Sequence, residues 1–415
     1  MLKFIALGCK VNSYENNALK ELFYKEGFSD KDKTDIIVIN TCSVTSVADQ
    51  KSRQIIRRER RNSPNAIIAV MGCYSQKNGE YVLSECGANI VVGTSNRHKI
   101  VQYVKSYLED KKPILDVEEN PREFGYESFG TIAVPKSTRV YIKIEDGCNN
   151  FCTYCTIPYT RGKARSRDKD EIIEEINYLI DKGFLEFVLT GIHTAHYGLD
   201  IKGVSFSDLV EEIVKLPNLY RLRISSIEES EIDDHFIKLL KNYPNIANHL
   251  HMPLQSGSKT VLKRMGRKYN VDDFINKVNR IRQIRPDIAI TTDVIVGFPG
   301  ESQEEFLETY EFIKKVNFAE LHVFPFSARE GTKAYDMPDQ VKPEIKAERV
   351  DKLIKLSEEL NRNYISRFKD QELEVILEER NKKTNLLSGF TSNYIKLEAD
   401  LPDDCIGKIH KIKVR

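Results

Sequence analysis

The stretch "RVYIKIEDGCNNFCTYCTIP" (139–158) joins a β-rich apolar run to three cysteines, Cys148, Cys152 and Cys155, in CxxxCxxC spacing. An iron–sulfur cube and a structural zinc each want four ligands, and this loop offers three. Parallel barrels keep their chemistry on the loops that follow strand C-termini. Five more strand candidates lie downstream: "EFVLTG" (186–191), "LRISS" (222–226), "ANHLHMPL" (247–254), "IAITTDVIVG" (288–297) and "ELHVFPF" (320–326). Amphipathic helix patterns fill the gaps. In "DKDEIIEEINYLIDKG" (168–183), Ile172, Ile173, Ile176, Leu179 and Ile180 share one face and Gly183 is the stop. Six βα units predict a partial (βα)6 barrel of the TIM type, short of the eight in the full form.

Upstream, strand and helix patterns alternate again. "KFIALG" (3–8), "DIIVIN" (35–40), "AIIAVMG" (66–72) and "NIVVG" (89–93) are strand-like, and helix patterns run through 13–28 and 44–61. That alternation predicts an open parallel α/β sheet with helices on both faces. Residues 109–137 mix charge, Pro and Gly without a sustained period and are expected to be a linker with one short strand. After a charged helix at 342–366, "LEVILEE", "LLSGFTSNYIKLEA" and "IGKIHKIKVR" predict a small antiparallel β module that is short by a final strand. The expected domains are therefore 1–108, the linker 109–137, 138–366 and 367–415. A length of 415 residues suits two or three domains.

The net charge of +1 gives no global pull towards nucleic acid, so any RNA-binding surface must be local. No apolar run is long enough to span a bilayer, and the N-terminus lacks a signal-peptide pattern, so a cytoplasmic, membrane-free protein is expected. Its eight cysteines should then stay reduced, which favours metal binding or catalysis over disulfides.

Cys9, Cys42 and Cys73 stand in "LGC", "NTC" and "MGC", each just after a predicted strand and about one βα unit apart. Strand C-termini line up along one edge of an open α/β sheet, so these thiols should converge. Three buried small apolar residues are the bland alternative. Zinc is the alternative for the second triad, with His193, His196 or His251 as a fourth ligand. Cys86 and Cys405 are expected to be inert.

CxxxCxxC after the first strand of a partial barrel resembles the radical S-adenosylmethionine superfamily. The resemblance implies three thiolates on a [4Fe–4S] cube, with S-adenosylmethionine itself completing the fourth iron and yielding a 5′-deoxyadenosyl radical. "GCKVNSYENN" (8–17), "NTCSVT" (40–45), "GCYSQ" (72–76), "DGCNNFCTYCTIPYTRGKARSR" (146–167), "TGIHTAHYG" (190–198), "SSIEESEID" (225–233), "HMPLQSGSKTVLKRMGRKY" (251–269) and "DVIVGFPGES" (293–302) together resemble the methylthiotransferases of that superfamily. The tail resembles their RNA-binding TRAM module. Within the family, "GCKVN" is most similar to the subgroup acting on N6-threonylcarbamoyladenosine in tRNA, where the isopentenyladenosine branch tends to have GCQMN and the ribosomal-protein branch GCxKN.

The resemblance implies a second [4Fe–4S] cluster on Cys9, Cys42 and Cys73, and methylthiolation of carbon 2 of the modified adenosine at position 37, in the tRNA anticodon loop. A reducing electron-transfer protein is implied as a partner. Gly191 sits where the superfamily contacts the methionine amino group. Gly297 and Gly300 are candidates for the adenine of S-adenosylmethionine, or for a plain βα turn. Ser225, Ser226 and Glu228 are candidates for its ribose or methionine end, or for a helix cap. Arg161, Lys163, Arg165 and Arg167 form a patch suited to phosphate or to the cosubstrate carboxylate, or to solvent alone. The helix face in 50–61 is a further candidate for the tRNA backbone. The same-fold alternatives are isopentenyladenosine or a ribosomal-protein residue as substrate. The alternative of another class is a zinc-containing RNA-binding protein without catalysis.

Overall fold

Residues 36–41 and 67–72, "IIVINT" and "IIAVMG", are buried at every position, as strands covered on both faces must be. The computed structural model describes residues 1–31 and 34–415. β1 (Leu2–Ala6), β2 (Ile36–Thr41), β3 (Ile67–Gly72), β4 (Ile90–Val92) and β5 (Ile114–Asp116) pair in parallel in that order. Helices Lys10–Lys25 and Ile100–Asp110 bury one face, through Leu19, Phe23 and Val104. Helices Ser46–Asn62 and Cys73–Glu85 bury the other, through Ile56, Tyr74 and Val82. The stretch expected to be a linker thus supplies β5 to this sheet, and its Phe129 enters the sheet's core.

The next strand, β6 (Arg139–Lys143), leads to a two-residue ribbon, β7 (Glu145–Asp146) with β8 (Arg165–Ser166), that closes the base of the cysteine loop. β9 (Glu186–Thr190), β10 (Arg221–Ile224), β11 (His249–His251), β12 (Ala289–Val296) and β13 (Glu320–Pro325) complete the six parallel strands. They form two three-stranded sheets, β6-β9-β10 and β11-β12-β13. A bridge between Leu222 and Ile246 joins the two halves. The main core lies between these strands and the surrounding helices. Alternation along β10 turns Arg221 and Arg223 to one side, where they share Glu186 of β9.

Helix Pro343–Ser366 leads into β14 (Glu372–Arg380), β15 (Leu387–Thr391), β16 (Lys396–Ala399) and β17 (Ile409–Lys413), an antiparallel sheet in the order β16-β15-β14-β17. The run at 386–399 folds into two strands, β15 and β16, and the run at 406–415 supplies β17 against β14. This module docks on the N-terminal ends of the barrel strands. Arg139 bonds Glu378, the Arg223 guanidinium donates to the carbonyl of Thr391, and Tyr394 stacks on His249 with ring centroids 4.4 Å apart. The opposite end of the barrel faces the N-terminal domain. Among the described residues, no helix is long and apolar enough to cross a membrane.

Candidate functional site

The second cysteine triad lines a cleft at the domain boundary, and the first lies close to it on the N-terminal sheet edge. Cys9 caps helix Lys10–Lys25, Cys42 follows β2, and Cys73 begins the helix after β3. The sheet edge therefore brings together three thiols that are distant in sequence: Cys73 helps to raise both Cys9 and Cys42, and Cys9 helps to raise Cys42. Gly8 makes the approach feasible: its φ is +87°, and a Cβ there would lie 2.4 Å from Cys42 Sγ.

Cys148, Cys152 and Cys155 line a cavity of about 350 Å³ with Asn150, His193, Ser226, Glu228, Gln255, Arg267, Asp293 and, from the other domain, Val44. Val44 is two residues from Cys42, and the Cys73 thiol reaches the ionisation of Cys155. The loop is held at both ends. Gly147, at φ +86°, packs where a Cβ would meet the Lys163 carbonyl oxygen at 2.0 Å, and the Thr153 amide donates to the Met265 carbonyl at 2.9 Å. Two donors point at sulfur: the Asn150 amide on Cys148 Sγ at 3.3 Å and Arg267 Nη1 on Cys152 Sγ at 3.3 Å. Across the cleft, Arg161 Nε donates to Cys73 Sγ at 3.2 Å.

Burial dominates the electrostatics. It pushes the Cys42 thiol up to about 11 and Cys155 up to about 12, and raises Cys9 and Cys148 as well. His193 is driven down to about 4 by burial, partly opposed by Glu231, so its ring is neutral at pH 7. Neighbouring protein and the Arg139 and Arg223 charges lower Lys10 to about 8, although its side chain stays open to solvent.

The donor set fits clusters better than single ions. Tetrahedral zinc with Zn–S bonds of about 2.3 Å sets its sulfurs roughly 3.8 Å apart. Among the described residues, the groups whose ligand atoms close within 4.8 Å are Cys148–His193–His196 and His251–Asp293–His322, and neither cysteine triad is one of them. Three soft sulfur donors spread wider than one ion allows suit an iron–sulfur cube. Of the candidate zinc histidines, His193 and His196 do lie beside Cys148, with Cys148 Sγ 3.7 Å from His193 Nδ1. Both are engaged by Glu231.

The other expected site residues divide. Ser226 and Glu228 line the cavity, and Glu228 takes an ion pair from Arg267 at 2.6 Å. Ser225 stands beside them and accepts from Lys10 Nζ at 2.9 Å. Gly191 lies at the end of β9 against Glu145, where a Cβ would meet Glu145 Oε2 at 2.5 Å. Gly297 and Gly300 do not line the cavity; they shape the turn after β12, and the Gly297 amide donates to the Glu301 carboxylate. Arg165 also lies away from it, donating to the carbonyls of Pro121 and Arg161. Arg161, Arg165 and Arg167 are buried, and only Lys163 of that patch is exposed. Buried carboxylates from both domains, Glu15, Asp146 and Glu175, hold these arginines, so the patch does not face a phosphate backbone. Within 50–61, Arg53 and Arg57 bond Tyr74 and Tyr81, and Lys51 and Arg61 remain exposed. Arg267 and Asn150 carry no role in the sequence reading, although both stand inside quoted motifs, 251–269 and 146–167.

Comparison with known proteins covers most of the chain. The Radical SAM superfamily model matches residues 142–313, and the model described as Uncharacterized protein family UPF0004 matches residues 1–93. A Bacillus subtilis protein named threonylcarbamoyladenosine tRNA methylthiotransferase MtaB is 47% identical over 99% of this chain and 93% of its own length. Its namesake in Thermotoga maritima is 36% identical over 98% of this chain and 93% of its own. A Clostridium tetani protein named tRNA-2-methylthio-N(6)-dimethylallyladenosine synthase is 34% identical over 98% and 92%. Among solved structures, the radical S-adenosylmethionine methyltransferase TsrM from Kitasatospora setae shares the fold at TM-score 0.61 and 14% identity, over 80% of this chain and 76% of that one.

Proposed function

Because the chain belongs to the radical S-adenosylmethionine methylthiotransferases, we propose that it methylthiolates carbon 2 of N6-threonylcarbamoyladenosine at position 37 of tRNA. The protein is an enzyme that works with S-adenosylmethionine and two [4Fe–4S] clusters. When bound, these groups supply the radical and sulfur-donor chemistry of the reaction. The observation that carries the proposal is the nearness of the two triads: Val44, two residues from Cys42, lines the cavity of Cys148, Cys152 and Cys155, and the Cys73 thiol acts on Cys155.

Cys148, Cys152 and Cys155 hold the radical cluster, and Cys9, Cys42 and Cys73 hold the other. The Asn150 amide and the Arg267 guanidinium offset thiolate charge on the first set; Arg161 does so on the second. Ser226 and Glu228, beside the cysteines, orient the polar end of S-adenosylmethionine, with Gly191 leaving room at the end of β9. Val44 and Ile227 give the cavity an apolar side. The substrate enters by its anticodon loop, a reducing electron-transfer protein supplies electrons, and the compartment is the cytoplasm.

Mass spectrometry of nucleosides from total tRNA, with and without this gene, tests the substrate. Selective loss of the 2-methylthio derivative of threonylcarbamoyladenosine is expected. Loss of the isopentenyl analogue in its place would move the chain to the sister branch. A second test separates the triads: Cys152→Ala abolishes 5′-deoxyadenosine formation, whereas Cys9→Ala leaves uncoupled cleavage intact and stops methylthio transfer. Equal loss of cleavage in both variants would refute that division of labour.

A further inference from the structure

Lys10 directly follows Cys9 and begins helix Lys10–Lys25. Its ammonium crosses the domain boundary and donates to Ser225 Oγ at 2.9 Å. Ser225 follows the C-terminal end of β10, and its neighbour Ser226 lines the cavity of the second triad. One side chain therefore starts beside one triad and ends beside the other.

Deeper in the barrel, the cations have partners. Arg139 is paired with Glu378, and Arg221 and Arg223 share Glu186. Lys10 makes no ion pair among the described residues. Asp293, the acid whose charge reaches it, is 3.3 Å from His251 Nε2. The Lys10 side chain is open to solvent, and a bound substrate that covers its ammonium must bring an anion or leave it desolvated and unpaired. The domain boundary thus offers one uncommitted cation between the two sets of thiols.

We propose that Lys10 is the specificity-determining residue of this enzyme and binds the carboxylate of the threonylcarbamoyl group. The inference rests on the substrate assigned above and names the group that reads it. A neutral hydrocarbon substituent would leave the ammonium desolvated and unpaired, so selection works by repulsion of the wrong substrate as well as attraction of the right one. The methionine end of S-adenosylmethionine also carries a carboxylate, and the test must tell the two sources apart.

The experiment uses reconstituted holoenzyme and anticodon stem-loops bearing either threonylcarbamoyladenosine or the same nucleoside with its carboxylate converted to the amide. Lys10→Gln is expected to weaken binding of the acid stem-loop by about 10- to 100-fold, the range of a charge-assisted hydrogen bond. Binding of the amide should change little, and Lys10→Arg should retain most of the preference. The acid-to-amide ratio is internal to each variant, so partial loss of folded enzyme does not alter it. If Lys10→Gln weakens acid and amide alike, Lys10 is structural and the proposal fails. It also fails if the variant loses affinity for S-adenosylmethionine, measured by equilibrium dialysis, while the acid-to-amide ratio stays put. A wild-type enzyme that methylthiolates no threonylcarbamoyladenosine stem-loop would overturn the substrate assignment itself, a result distinct from either.

Discussion

At Gly8 a single methyl group decides whether the first triad can form. The left-handed backbone there costs an L-residue about 1–2 kcal/mol, and the added Cβ would also press on Cys42 Sγ at 2.4 Å. Gly8→Ala should lose the N-terminal cluster and keep the radical one. Iron would fall from about eight to about four atoms per chain, four per cube, and iron and sulfide analysis of the purified variant reads this directly. Iron unchanged at about eight would mean that the loop yields, or that these thiols are not the ligands. The six cysteines were legible in the sequence because thiols repeated at strand ends have few other uses. Arg161 was not. In "RGKARSR" it looks like part of a solvent-facing basic run, and nothing local reveals that Glu15, some 150 residues earlier, will bury it.

Among the elements, strands and helices with a strong period lay where the sequence placed them, and the segment 117–137 was the hardest to place. Its anchors act singly: Phe129 in the sheet core, the Tyr126 hydroxyl on the Lys143 carbonyl, Glu127 on Arg97 Nε at 2.7 Å. Isolated contacts of this kind leave no periodicity to read. The turn between β15 and β16 is equally hard to place from sequence, since it carries no Gly or Pro at its centre. Glu127 gives this segment a pH dependence. Burial alone would raise its carboxyl, but Arg97 and the hydrogen bonds from His98 outweigh that and hold it at about 2, below its ordinary 4.5. A depressed folded pKa contributes stability above pH 4.5 that is lost as pH falls towards 2. Protection of 117–137 against hydrogen exchange, taken relative to the intrinsic rate at each pH, should therefore be lower at pH 3 than at pH 6, and Glu127→Gln should show the lower protection already at pH 6. Equal exchange in the variant and the parent at pH 6 would show that Phe129 and Tyr126 suffice to hold the segment.

Across the whole molecule, the relation of the two triads depends on how the domains dock, and buried charge sets that relation. Glu15 and Arg97 come from the N-terminal domain; Lys143, Asp146 and Arg161 come from the barrel. Glu15 pairs with Arg97, with Lys143 at 2.9 Å and with Arg161 at 3.0 Å, and Asp146 binds the same three cations. Burial opposes ionisation of Glu15, yet Arg161, Arg97 and Lys143 keep its carboxyl well below the usual range. Each cation is shared between acids of both domains, so the network is satisfied in one docked arrangement and broken in others. Removing one partner of such a network costs about 3–5 kcal/mol, because the remaining charges stay buried without compensation. Glu15→Gln keeps the shape and removes the charge. Both triads retain their ligands in this variant, so iron content and uncoupled 5′-deoxyadenosine formation should persist. What should fail is transfer, because the sulfur donor and the radical no longer meet across a fixed gap. The ratio of 5′-deoxyadenosine formed to tRNA methylthiolated should rise about tenfold or more, while the urea midpoint falls. A lower midpoint with an unchanged ratio would make the network a stabiliser alone and leave the alignment of the two triads to the rest of the contact between the domains.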